Sequence, residues 1–125
     1  MIDEEIQRIV ANAQLAVKMF ADVENQELHF DEQSLAIVDA FINKKFGVFE
    51  RATLNGLVST LGAFLGECIR RNFGGKWDII RGELCIRFSE GNAVFPFTKV
   101  RKHFEDGATD SILGFYQVLP DVYHL

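Results

Sequence analysis

The chain is poor in the residues that usually announce a chemistry. Among its 125 residues there are two cysteines, two prolines, one tryptophan and three histidines. Two cysteines cannot build a disulfide framework. Cys68 falls on an expected helix and Cys85 on an expected strand, both in apolar surroundings, so each reads as a free core thiol, as in a reducing compartment. His29, His103 and His124 show no metal-ligand spacing: there is no HExxH, no CxxC and no histidine with a partner one turn away. A catalytic pair of His103 with Cys85 or Cys68 has no local support, and the serines lack a GxSxG elbow. Gly74-Gly75 follows an expected helix and lacks the GK[ST] ending, which excludes a phosphate loop. No cofactor is implied. The N-terminus, Met1-Ile2-Asp3-Glu4-Glu5, is acidic, the opposite of a secretory leader. No uninterrupted apolar run approaches the roughly 18 residues of a membrane span. The expected compartment is the cytoplasm, with no membrane partner.

Positive charge is also scarce. The net charge is −5. Residues 1–50 hold ten acids and four bases, or −6, and residues 51–125 hold eight acids and nine bases, or +1. Nucleic acid is therefore not the expected partner, because phosphate contacts need clustered Lys and Arg. Apolar residues make up 48% of the chain, with no low-complexity tract, and the length suits one domain (residues 1–125) with its own core. Twelve phenylalanines are the compositional excess, and most of them are expected inside.

The apolar spacing predicts three N-terminal helices. Residues 3–20 carry Ile6, Ile9, Val10, Ala13, Val17 and Phe20 at helical spacing, with acids in the first turn where the dipole favours them. Residues 21–29 read as a polar connector. Asp31 caps a second helix bearing Leu35, Val38, Phe41 and Ile42, with Phe30 stapling Leu35 and Gly47 ending it. The third helix, about 50–73, is the longest, with Leu54, Leu57, Val58, Leu61, Phe64, Leu65, Cys68 and Ile69 on one face. Gly62 and Gly66 interrupt it. Mid-helix glycine costs about 1 kcal/mol relative to alanine, so two of them, four apart, point to an element crossing closely.

The period changes at Trp77. Trp77–Arg81, Leu84–Phe88 and Ala93–Phe97 read as short strands joined by tight turns. Thr98 is expected to cap a short helix through Asp106, stopped by Gly107. Thr109 or Asp110 is expected to cap a last helix with Ile112, Phe115, Tyr116 and Leu119, closed by Pro120. The fold class is α+β: three N-terminal helices, a three-stranded antiparallel meander and two short C-terminal helices.

Glu67 is the leading candidate site residue. One reading is a carboxylate in a cleft that Gly66 opens, with Arg71, Trp77, Lys99 and Arg101 as ligand contacts. The plainer reading is an exposed ion pair with Arg71, since on a helical wheel Glu67 falls away from the Leu54–Leu61–Cys68 stripe. Arg70, Arg71 and Lys76, and separately Lys99, Arg101 and Lys102, form basic groups that would bind an anion or an acidic partner if joined. The plainer reading, and the preferred one, is solvated helix ends, with Arg70 and Arg71 answering the C-terminal dipole. The acids Asp22, Glu24 and Glu27 of the connector offer a docking surface for a basic partner, with a solvated face as the plain alternative.

Four segments carry a likeness: Leu61-Gly62-Ala63-Phe64-Leu65-Gly66-Glu67, Gly74-Gly75-Lys76-Trp77, Pro96-Phe97-Thr98-Lys99-Val100-Arg101-Lys102, and Asp110-Ser111-Ile112-Leu113-Gly114-Phe115-Tyr116. Together they resemble a bacterial family of small proteins of unknown function with LGxxLGE, GGxW, PFxKVxK and DSIxxFY segments. The resemblance covers somewhat under half of the chain. It implies a shared architecture and no activity. The segments outline either a ligand cleft or a folding signature in which Glu67 accepts hydrogen bonds from the hairpin. Function is thus expected to be non-enzymatic: a cytoplasmic domain acting through a protein partner, in one version an immunity or antitoxin-like inhibitor. The alternatives are a small-molecule site or enzyme centred on Glu67, and a structural homo-oligomer.

Overall fold

The computed structural model describes residues 1–125. Its elements follow the expected order: α1 (Asp3–Asp22), α2 (Glu32–Lys44), α3 (Arg51–Phe73), β1 (Lys76–Ile80), β2 (Glu83–Ser89), β3 (Asn92–Val94), α4 (Pro96–Asp106), a 3-10 turn (Gly107–Asp110) and α5 (Ile112–Tyr123). The strands form an antiparallel sheet in the order β1-β2-β3. The fold is α+β.

α3 is the spine. Every residue from Leu61 to Ile69 is buried, nine in succession. A helix lined on one face buries roughly half its positions; α3 is enclosed on all sides. α1, α2, α4, α5 and β2 all pack against it. One cluster of 23 buried residues, running from Ile9 to Leu119, forms the core. α3 also contains an 18-residue window of mean hydropathy 1.2, long and apolar enough by composition to cross a membrane, contrary to expectation; 61% of that window is buried inside the fold.

The two glycines of α3 mark its closest crossings. A Cβ on Gly62 would sit 2.9 Å from the Phe97 Cα, and one on Gly66 would overlap the Trp77 indole. The backbone at α4 and the ring at β1 occupy the space that side chains would need. Trp77 pairs with Ile86, and Ile86 with Val94, so the three share the sheet face turned to α3. The β1–β2 turn is Arg81-Gly82, both with positive φ (53° and 80°), as a two-residue hairpin demands. Asp78 turns its Oδ1 back to accept from the Ile79 backbone N–H at 2.8 Å.

Asp31 caps α2 as expected, accepting from the Ser34 N–H at 2.8 Å. Several boundaries differ. α2 stops at Lys44, and Gly47 lies in the turn beyond it. The third strand ends at Val94 rather than Phe97, because Pro96 is the first residue of α4, where its missing N–H costs nothing. α4 therefore starts two residues before the expected cap, Thr98. Ser111, not Thr109 or Asp110, caps α5. Pro120 does not close α5, which continues to Tyr123 with the proline inside it. The phenylalanines differ too. Phe20, Phe64 and Phe104 are buried, Phe46 is exposed, and the other eight are half-buried lids around the core.

Candidate functional site

Glu67 is fully buried, against the expectation of a solvated pair. The helical wheel failed here because α3 has no free side. The carboxylate is saturated. Oε2 accepts from Arg70 Nε at 2.7 Å and from Trp77 Nε1 at 2.9 Å. Oε1 accepts from Arg70 Nη2 at 2.9 Å and Arg71 Nε at 3.1 Å. Arg70 thus makes a two-pronged grip, the strong geometry for guanidinium and carboxylate. Burial alone would raise the Glu67 pKa. The hydrogen bonds from Arg70, Trp77 and Arg71, with the Arg70 charge, outweigh it and hold the carboxyl below its ordinary value. That is the opposite of the raised pKa a general acid needs.

Gly66 is what makes this contact possible. It admits the six-membered ring of the indole close against α3, and one residue later the carboxylate meets the indole N–H. The Arg71 guanidinium, while bound to Glu67, lies 3.8 Å from the Phe30 ring centroid. Asn72 Nδ2 donates to the Phe30 carbonyl at 2.9 Å and to the Tyr116 hydroxyl at 3.0 Å. Helix α3, the hairpin, the α2 entry and α5 are tied at one place.

Of the five expected site residues, Glu67, Arg71 and Trp77 come together. Lys99 and Arg101 do not join them. Lys99 Nζ pairs with Asp110 Oδ1 at 3.2 Å, bracing α4 against the 3-10 turn. Arg101 Nη2 donates to Asn55 Oδ1 at 2.9 Å, bracing α4 against the start of α3. Glu67 lines none of the five main surface grooves.

A second polar cluster went unnoticed in the sequence. Asp39, Asn43, His103 and Ser111 meet where α2, α4 and α5 converge. Asp39 Oδ1 accepts from Ser111 Oγ at 2.6 Å and from the Leu113 N–H at 3.0 Å. His103 is fully buried. Its Nε2 lies 2.7 Å from Asn43 Oδ1, and its Nδ1 accepts from the Ile112 N–H at 3.3 Å. With Nδ1 as acceptor, Nε2 must carry the proton and donate to Asn43. Burial keeps the ring neutral by lowering its pKa. The residue types are those of a hydrolytic triad, but the order is wrong. Ser111 donates to the aspartate, and both imidazole nitrogens are occupied by other groups, so no base faces the hydroxyl. The signal was present: Asp39 falls inside the Leu35–Val38–Ile42 stripe, and His103 between Val100 and Phe104.

Both thiols are buried and free, and burial raises their pKa. No three His, Cys, Asp or Glu side chains come close enough to hold a metal. No family model, curated protein or solved structure matches the chain.

The end of α1 and the connector that follows it have a different character. Asp22, Glu24 and Glu27 are all exposed, and Val23 between them is 72% exposed. Lys18 pairs with Asp22 at 2.8 Å, and His29 lies 3.5 Å from Glu27. Glu24 has no charged partner. It lines a groove of about 290 Å³ with Phe20, Gln26, Ile37, Ala40, Phe41 and Lys44.

Proposed function

We propose that this protein is a non-enzymatic interaction domain that engages a basic protein partner through the connector between α1 and α2. The observation that carries this reading is the Asp22–Glu27 surface. Its acids project into solvent around an exposed valine and beside a groove floored by Phe20, Ile37 and Phe41. An acidic rim around an apolar anchor suits a partner presenting Lys or Arg beside an apolar side chain. Rim charges of this kind speed encounter and fix register. An immunity or antitoxin-like inhibitor of a basic effector is the specific form proposed. The polar clusters support the non-enzymatic part, since their groups are occupied with one another.

The test is affinity capture from native lysate with the wild-type chain and the Asp22→Lys, Glu24→Lys, Glu27→Lys triple variant, each washed at low and high salt. The expected result is one stoichiometric basic protein, released by salt and lost from the variant. Equal capture by both chains with the same salt response refutes the proposal. Recovery of the chain's own second copy would favour the homo-oligomer reading. One observation speaks for that reading: Val118 and Val122 are exposed on α5, and Leu125 is exposed just beyond its end.

A further inference from the structure

We propose that His103 is an acid-sensitive latch: it holds the first turn of α5 in place, and a second proton on its ring releases it. The argument rests on which atoms face the imidazole. On one side Nε2 donates to Asn43 of α2. On the other, Nδ1 is the acceptor for the backbone N–H of Ile112, the first residue of α5. A proton taken from solvent at Nδ1 turns that acceptor into a donor. Two donors then face each other at 3.3 Å, and the Ile112 bond is lost.

The charged groups around the ring do not remove the conflict. Asp39 of α2 and Asp110 of the 3-10 turn favour the imidazolium, whereas Lys99, on the histidine's own helix, opposes it. A carboxylate oxygen that could take the new proton's hydrogen bond, Asp39 Oδ1, lies 3.7 Å from Nδ1. That oxygen already accepts from Ser111 Oγ and the Leu113 N–H. Drawing it toward His103 loosens the same stretch of chain. Both outcomes of protonation converge on residues 111–115, while the Lys99–Asp110 pair still holds the 3-10 turn. Further along, α5 keeps separate anchors, the Asn72–Tyr116 hydrogen bond and the Phe73–Tyr116 ring contact at 4.7 Å. The release is therefore local.

The sign follows from linkage. The ring is neutral when latched and titrates freely when open, so the latch is fully closed above the ordinary histidine value of 6.5 and weakens as the pH falls below it. If only the open form takes the proton, opening at pH 5.5 rises by a factor of about 1 + 10, or roughly elevenfold, over that at high pH.

Amide hydrogen exchange of the full chain at pH 8.0 and 5.5, corrected for intrinsic exchange, tests this. The expected result is about tenfold greater opening at Ile112, Leu113, Gly114 and Phe115, with Leu61–Ile69 of α3 unchanged. In H103Q, which carries no titrating ring, the ratio between the two pH values becomes flat. Should H103Q fail to fold, the imidazole nitrogen shifts of the wild-type protein decide instead: a ring protonated on Nε2 that titrates below 6.5 supports the latch. A flat response in the wild type, an equal response in α3, the same response in H103Q, or a ring titrating at or above 6.5 overturns it.

Discussion

Replacing Glu67 with glutamine tests the central claim about the α3–hairpin junction. The substitution keeps shape and one acceptor oxygen, so the Trp77 N–H can stay bonded. It removes the charge that Arg70 and Arg71 share, and it turns an amide N–H₂ toward one guanidinium. Breaking a buried ion pair by neutralising one partner typically costs about 3–5 kcal/mol. Here the two arginine side chains are 37% and 35% exposed, so water can recover part of their solvation. A loss of about 2–3 kcal/mol follows. Against a typical domain stability of about 5–15 kcal/mol, that is a large fraction. It corresponds to a fall in Tm of roughly 8–11 °C at this chain length. Urea denaturation followed by Trp77 fluorescence reads it directly, because the chain has one tryptophan and it sits on the mutated group.

The pH dependence is a second readout of the same substitution. The folded-state pKa of Glu67 lies below its ordinary value. Its contribution is therefore fully present above the unfolded value near 4.5 and is lost as the pH falls through the lower folded value. The gap between wild type and Glu67→Gln should be open at pH 7 and narrow in acid. A gap under about 0.5 kcal/mol at pH 7, within the usual range for surface substitutions, would refute the reasoning. So would a full-sized gap that persists unchanged into acid.

The glycines of α3 and the cap of α5 give sharper local contrasts. Gly56→Ala meets nothing within 4 Å and should stabilise by about 0.5–1 kcal/mol in chemical denaturation, through propensity and unfolded-state entropy. Gly66→Ala forces the Trp77 ring to move and should destabilise by about 1–3 kcal/mol despite the same propensity gain. If both alanines stabilise equally, the close crossing is not real. Ser111→Ala removes the cap bond to the Gly114 N–H and a 2.6 Å donor to Asp39. It should cost about 2 kcal/mol, roughly 1 for the cap and 1 for the aspartate bond, read in the same denaturation assay.

The order of elements was legible because it depends on local signals. Helical spacing, the Asp31 cap, the period change at Trp77 and the glycine turns are each written within a few residues. The close crossing at Gly62 and Gly66 was legible for the same reason: a mid-helix glycine needs an explanation. What those glycines receive was not legible, since Phe97 and Trp77 lie 35 and 11 residues further on. The helical wheel misplaced Glu67 because it assumes a solvent side, and burial of a carboxylate depends on partners that tertiary structure assembles; the folding-signature alternative, in which Glu67 accepts from the hairpin, matches the Trp77 bond. In the Asp39–His103–Ser111 cluster the stripe positions of Asp39 and His103 signal two buried polar groups, but their pairing spans up to 72 residues and no single helix encodes it. Pro120 misled in the other direction: a proline normally ends a helix, yet the last turn of α5 forms around it.

The small contact at the start of the hairpin bears on how this chain avoids its own kind. In a two-residue hairpin the Ile79 amide points away from β2, toward the open side of β1. That amide already belongs to Asp78. On the opposite edge β3 is three residues long and runs straight into Pro96, which has no amide to offer. A strand from another molecule arriving at the β1 margin finds one donor spent and a carboxylate beside it, and at the β3 margin it finds a template only three residues long. Natural sheets discourage runaway strand addition by such means. Crowded copies of this protein should thus resist joining sheet to sheet, which leaves side-chain surfaces, not backbone, to choose its company.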